Sequence, residues 1–147
     1  MERKPLPEEF KEFIQLLNSE KVEYLVLGGW AVSVHGNPRF TADIDFLIGI
    51  DPKNVGKIKK VLERFGLKNV PDDYFTEKGN VIRMGRPPTR IEILTGASGI
   101  EFESCYRRKK QKTLDGLKIN FISKVDLIAN KKASGRPKDL IDVDALE

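Results

Sequence analysis

The chain has 147 residues, a formal net charge of +4 and a single cysteine. One cysteine excludes an internal disulfide, and the apolar stretches are too short to span a bilayer or to form a signal region after Met1. We therefore expect one domain over residues 1–147, located in the cytoplasm, with no membrane partner and a mild preference for anionic ligands.

The first part of the chain alternates between helical and strand patterns. Apolar residues recur at helical spacing after Pro7, and Asp51 followed by Pro52 is a typical helix start. The predicted elements are a helix carrying Phe10, Phe13, Ile14 and Leu17, a strand at 22–27, a short helix at 30–35, a strand at 43–48 and a helix from Pro52 to Phe65.

The second part predicts two strand pairs and two C-terminal helices. The predicted elements are strands at 81–84 and 90–94, a hairpin of strands at 112–114 and 117–122, a helix from Ser123 to about Ser134, and a last helix from Pro137 that carries Leu140, Val143 and Leu146. Residues 67–79 are expected to be irregular. This order of elements predicts the α/β class, with a mixed sheet, helices packed on it and helices at the C-terminus.

Two carboxylates, Asp43 and Asp45, lie two residues apart at the start of the second predicted strand. Alternate side chains of a strand point to the same face, so both acids are expected at one end of the sheet. Like charges placed so close repel unless a cation lies between them, and oxygen-only ligands suit Mg²⁺ or Mn²⁺. The pair therefore predicts a divalent metal site.

A Gly28-Gly29 turn lies upstream, between the first strand and the short helix. Glycines allow backbone N–H groups to approach a ligand closely, and a helix start favours anionic phosphate. A phosphate-binding turn beside a metal site is typical of phosphoryl or nucleotidyl transfer. The sequence contains no Gly-Lys-Ser or Gly-Lys-Thr, which excludes a P-loop NTPase.

The Gly-Gly turn, followed after thirteen residues by Asp43-Ile44-Asp45-Phe46, resembles the signature of the DNA polymerase β-type nucleotidyltransferase superfamily. Gly-Gly-Trp-Ala and the run from Arg39 through Thr41 to Asp45 resemble its small prokaryotic members. These include minimal, lincosamide-type and toxin-associated nucleotidyltransferases. The resemblance implies a nucleotidyltransferase fold that binds a metal and a nucleotide.

The resemblance also implies a third acid on a neighbouring strand, and the candidate is Glu92. Asp43, Asp45 and Glu92 are then the predicted catalytic residues and the predicted ligands of two metal ions, with Glu92 acting as a ligand or as a base. An unpaired acid in this apolar run would be costly to bury. The alternative is an Arg90–Glu92 pair on an exposed strand face.

Four residues are predicted to bind the nucleotide: Gly28, Gly29, Arg39 and Lys131. The planar guanidinium of Arg39 matches phosphate oxygens, although Arg39 would also suit a role in stabilising its loop. Lys131 is predicted to reach the triphosphate across the cleft from the C-terminal helices. Asp139 is expected to anchor the turn between those helices.

The predicted reaction is the metal-dependent transfer of an NMP from an NTP, such as ATP, to a hydroxyl of tRNA, a protein or a small molecule. The chain carries little beyond the transferase core, which leaves a homodimer or a partner chain to complete the acceptor site. Two alternatives stay open: a glycosyltransferase that binds metal-bound sugar nucleotides, and a non-catalytic NTP-binding or toxin–antitoxin module of the same fold. The basic run at 107–110 either contacts an RNA acceptor or protects a solvated hairpin edge.

Overall fold

The computed structural model describes residues 6–37 and 41–147, in which helices pack on one mixed β-sheet. The strands are β1 (Tyr24–Leu27), β2 (Asp43–Ile48), β3 (Val81–Met84), β4 (Arg90–Leu94), β5 (Lys110–Leu114) and β6 (Leu117–Phe121). The helices are α1 (Glu8–Ser19), α2 (Gly28–Val34), α3 (Pro52–Arg64), α4 (Phe102–Arg107), α5 (Lys124–Ser134) and α6 (Pro137–Leu146), with a 3₁₀ turn at Asp72–Phe75. Across these ranges, the helices are too short or too polar to cross a membrane.

The strands follow the order β3-β4-β2-β1-β6-β5, and the sheet is mixed, as predicted. In the centre, β2 pairs with β1 in the antiparallel sense and with β4 in the parallel sense. Hairpins β3–β4 and β5–β6 complete the two sides. Because β1 runs against β2, Leu27 at the end of β1 pairs with Asp45 near the start of β2. The Gly-Gly turn and the two aspartates therefore meet at one end of the sheet.

The apolar face of α1 covers the central strands. Its residues Phe10, Phe13, Ile14 and Leu17 are fully buried, and the rings of Phe13 and Phe46 lie 5.3 Å apart. Burying a side chain of this size stabilises the fold by roughly 1.5–3 kcal/mol. Since Phe46 points toward α1, its neighbour Asp45 points to the opposite face of the sheet.

The predicted strands are confirmed, with shifts at their ends, but three features of the helices differ from the prediction. Helix α2 begins at Gly28 instead of Trp30, so the glycines form its first turn. Helix α4 was not predicted, because six residues are too few to show helical periodicity. On α6, Leu140 is 47% exposed whereas Asp139 and Asp142 are buried, so the hydrophobic pattern alone misplaces the inner face.

Candidate active site

The parallel pairing of β2 and β4 brings the predicted acids to one face of the sheet. Asp43 lies opposite Arg90, and Asp45 lies opposite Glu92. The residues between them, among them Ile44, are buried on the other face. We refer to Asp43, Asp45 and Glu92 as the carboxylate cluster, since alternation along two in-register strands puts all three side chains on the same side.

Arg90 binds Asp43 through both oxygens of the carboxylate. Its Nε lies 3.3 Å from Asp43 Oδ1, and its Nη2 lies 3.0 Å from Oδ2. Such a bidentate pair is both stronger and more directional than a single contact. The sequence placed Arg90 on the face of Glu92 but did not identify Asp43 as its main partner.

Glu92 contacts two arginines and is largely shielded from water. Arg83 Nε and Arg90 Nε lie 3.3 Å and 3.5 Å from Glu92 Oε1, and the side chain of Glu92 is 16% exposed. The Arg90–Glu92 contact considered from the sequence is therefore present, with Arg90 33% exposed and Glu92 16% exposed. The contact between Arg83 and Glu92 results from the β3–β4 register, which places these two residues opposite each other. The local sequence does not show this register.

Asp45 is the member of the carboxylate cluster whose ionised form is most disfavoured by its surroundings. Its Oδ1 is buried and has no hydrogen-bond partner among the described residues. Burial, followed by the charge of Glu92 and a hydrogen bond with it, and then the charge of Asp43, raises the pKa of Asp45 from 3.8 to about 7, although Lys131 acts in the opposite direction. A carboxyl group in this position requires either a proton or a cation close to it.

The two glycines allow the start of α2 to pack directly against β2. Gly28 has a φ of +63°, and a Cβ there would lie 2.3 Å from Asp45 Oδ2. A Cβ on Gly29 would lie 2.7 Å from Thr41 Oγ1, which in turn donates to the carbonyl oxygen of Asp43. A side chain at Gly28 would displace the carboxylate of Asp45, and one at Gly29 would displace the side chain of Thr41. The Gly-Gly pair is thus required by the approach of α2 to the carboxylate cluster.

The predicted nucleotide ligand Lys131 lies in a buried ion cluster between α5 and α6. Its Nζ lies 3.3 Å from Asp139 Oδ1 and 3.0 Å from Asp142 Oδ2, and its side chain is 7% exposed. Arg136 Nε donates to Asp139 Oδ2 at 2.8 Å. We call these four residues the helix ion cluster. Asp139 anchors the turn between the helices as expected, and Lys131 is close enough to influence Asp45 electrostatically.

Arg39, the remaining predicted nucleotide ligand, lies outside the described residues and stays a prediction.

A different group of acids lies at the opposite end of the sheet. Among the residues described, Glu23, Asp51 and Glu103 are the one set of three whose potential ligand atoms all lie within 4.8 Å of one another. The carboxylate cluster is less tightly grouped, because the guanidinium of Arg90 lies between two of its members.

A family model described as "Nucleotidyltransferase of unknown function (DUF6036)" matches residues 5–147. No curated protein sequence matches the chain significantly.

Solved structures of low sequence identity share the fold. The lincosamide antibiotic adenylyltransferase LnuA, with lincomycin bound, aligns over 98% of both chains with a TM-score of 0.58 and 17% identity. ANT(2")-Ia, in complex with adenylyl-2"-tobramycin, aligns over 93% of this chain and 84% of its own, with a TM-score of 0.60 and 13% identity. An antigenic nucleotidyltransferase-like protein from Paracoccidioides brasiliensis aligns over 97% and 78%, with a TM-score of 0.56 and 19% identity.

Proposed function

Since the chain belongs to the nucleotidyltransferase family DUF6036, of the small polymerase β-like type, we propose that it transfers an NMP from an NTP to a hydroxyl acceptor. The hydroxyl oxygen forms a bond to the α-phosphorus, the bond from that phosphorus to the bridging oxygen breaks, and pyrophosphate leaves. The observation that carries the proposal is the environment of Asp45: its Oδ1 is buried without a partner among the described residues, and burial together with the neighbouring charges of Glu92 and Asp43 raises its pKa.

Mg²⁺ or Mn²⁺ fits the carboxylate cluster. All its donors are carboxylate oxygens, which suit these ions, and the unpaired Oδ1 of Asp45 is a buried atom that a cation would satisfy. Asp43, Asp45 and Glu92 would hold the metal, which when bound supplies positive charge to the phosphate oxygens.

The remaining roles are assigned to the residues that the sequence predicts. Glu92 accepts the proton of the acceptor hydroxyl, because a carboxylate beside the reacting atoms serves as a general base. Gly28 and Gly29 offer backbone N–H groups from the first turn of α2 to the triphosphate. Arg39 binds phosphate oxygens. Lys131 adds positive potential, since its ammonium is already bound by acids of the helix ion cluster.

The acceptor is proposed only as a hydroxyl compound: a small molecule, an RNA such as tRNA, or a protein. The printed descriptions of LnuA and ANT(2")-Ia connect those proteins with adenylyl transfer and with antibiotics. Because these proteins share the fold, ATP is the first nucleotide to test, and lincomycin and tobramycin are two compounds to include among the candidate acceptors.

The test follows label from each of the four NTPs, carried on the α-phosphate, into candidate acceptors and cell extract with Mg²⁺ present. We expect transfer by the wild-type protein and a loss of about 10³-fold or more in the double variant Asp43→Asn/Asp45→Asn. The fold should persist, because removing the charge of Asp45 relieves its repulsion with Glu92. Arg90 loses Asp43 as a partner, but its side chain is 33% exposed and still contacts Glu92. The matched control is Asp144→Asn, which neutralises an exposed acid on α6.

Three results would contradict the proposal. Unchanged transfer in the double variant would show that the carboxylate cluster has no catalytic part. Mg²⁺-dependent NTP binding without transfer to any acceptor would favour the non-catalytic NTP-binding module. A large fall in melting temperature of the double variant would point instead to a structural role for these aspartates.

A further inference from the structure

The bidentate pair of Arg90 and Asp43 lies inside the proposed metal site, on the oxygens that a metal would use. We propose that Arg90 is an internal counter-ion that competes with the divalent cation for Asp43, so that the metal binds only as the guanidinium releases this carboxylate. The inference rests on the proposed function, because it takes Asp43 as a metal ligand.

The geometry supports competition between two cations for one carboxylate. Both oxygens of Asp43 accept from Arg90, at 3.3 Å and 3.0 Å. The guanidinium stays charged at every physiological pH and repels a dication placed against the same oxygens. A metal at Asp43 must therefore either displace Arg90 or bind against its charge.

The surroundings allow Arg90 to move without exposing a buried charge. The Arg90 side chain is 33% exposed, so water can solvate a displaced guanidinium. Glu92 Oε1 already lies 3.5 Å from Arg90 Nε and offers a second anionic contact on the same face. Arg83 differs from Arg90, because its contact in the cluster is with Glu92 and its side chain is 60% exposed. The chain thus supplies a matched pair of arginines, one bound to Asp43 and one not.

This arrangement gives Arg90 a definite effect on the order of binding. Arg90 weakens the affinity of Asp43 for a metal that arrives alone. A triphosphate brings its own oxygen ligands and offers the guanidinium a planar, bidentate partner. The nucleotide and the metal would consequently bind together, with Arg90 exchanging one anion for another.

The experiment titrates each protein with Mn²⁺ alone and follows free Mn²⁺ by electron paramagnetic resonance. The set comprises wild type, Arg90→Gln, Arg90→Lys, Arg83→Gln and Asp43→Asn, each checked for folding by circular dichroism. We expect Arg90→Gln to bind Mn²⁺ about tenfold more tightly, because a partly screened unit charge is removed from the ligand. Arg90→Lys should fall between wild type and Arg90→Gln, since it keeps the charge and loses the fork. Arg83→Gln should tighten binding by about twofold or less.

The outcomes separate this inference from the proposed function. Equal Mn²⁺ affinity in wild type and Asp43→Asn would show that Asp43 is not a metal ligand. The inference about Arg90 and the metal site of the proposed function would then fail together. Weaker binding in Asp43→Asn with no gain in Arg90→Gln would overturn the inference alone. Equal gains in Arg90→Gln and Arg83→Gln would also overturn it, because net charge and not the pairing with Asp43 would then set the affinity. Because the readout is metal affinity, a merely structural role for Arg90 would not produce the expected gain.

Discussion

The carboxylate cluster and the helix ion cluster both hold acids close together, but they differ in how far cations pair with those acids. In the helix ion cluster, Asp139 and Asp142 are 1% exposed and bind Lys131, and Arg136 completes the pairing. In the carboxylate cluster, Asp45 keeps a buried oxygen without a partner among the described residues. The acids of the helix ion cluster are paired with cations, whereas Asp45 leaves a negative site at the end of the sheet.

The pKa values of the two clusters diverge for the same reason. Burial raises the pKa of Asp139, but hydrogen bonds from Arg136, Ser134 and Lys131 outweigh it and hold this pKa well below its usual range. Burial also raises the pKa of Asp45, and there the neighbouring acids add to the effect. Balanced ion pairs are typical of structural roles, and an acid with a strongly raised pKa is a candidate for chemistry. The comparison therefore supports the proposed catalytic role of the carboxylate cluster and a structural role for the helix ion cluster.

The largest expected effect of a substitution that tests the difference between the two clusters is on the catalytic rate. Replacing Glu92 by Gln should slow the chemical step by about 10²–10⁴-fold, the scale for losing a general base, while the protein remains folded. Single-turnover transfer from labelled NTP measures the rate, and equilibrium binding of the NTP measures the retained affinity. The matched control is Glu9→Gln on the exposed face of α1. Full activity in Glu92→Gln would leave Glu92 as a partner for Arg83 and Arg90 only.

The sequence was sufficient to predict the fold and the position of the carboxylate cluster. Strand alternation and the Gly-Gly turn are local patterns, and the parallel register then brought Glu92 opposite Asp45 as the resemblance implied. The ion pair of Arg90 with Asp43 was not predicted, because these residues are 47 positions apart and only the pairing of β2 with β4 brings them together. The helix ion cluster was also missed as a buried unit, since charged residues normally lie outside and Leu140 suggested a different inner face.

A second test of the comparison concerns stability. Asp139→Asn should destabilise the fold by about 3 kcal/mol, because Lys131 stays buried with one carboxylate fewer. Since the pKa of Asp139 is lowered from 3.8, its contribution is present above about pH 4 and is lost as pH falls below that value. Urea unfolding at pH 7 and pH 3 should show the difference from wild type shrinking at the lower pH. Asp144→Asn, an exposed change on α6, is the control.

The smallest effect, and the one of opposite sign, is expected at Asp45. Its pKa is raised from 3.8 to about 7, so the protonated form is favoured in the folded state. The stability from this group is complete below about pH 4 and is lost as pH rises through 7. Asp45→Asn avoids that loss, and should be more stable than wild type at pH 8 by about 1–3 kcal/mol and equally stable at pH 4.

Urea unfolding across this pH range distinguishes the two clusters directly, because Asp45→Asn gains relative stability with rising pH whereas Asp139→Asn loses it. Mg²⁺ at pH 8 should raise the melting temperature of wild type more than that of Asp45→Asn, since the ion binds the ionised carboxylate of the folded protein. An Asp45→Asn protein less stable than wild type at pH 8 would mean that the carboxylate of Asp45 is paired in solution. The contrast between the carboxylate cluster, with an acid that lacks a cation, and the helix ion cluster, with paired acids, would then fail at Asp45.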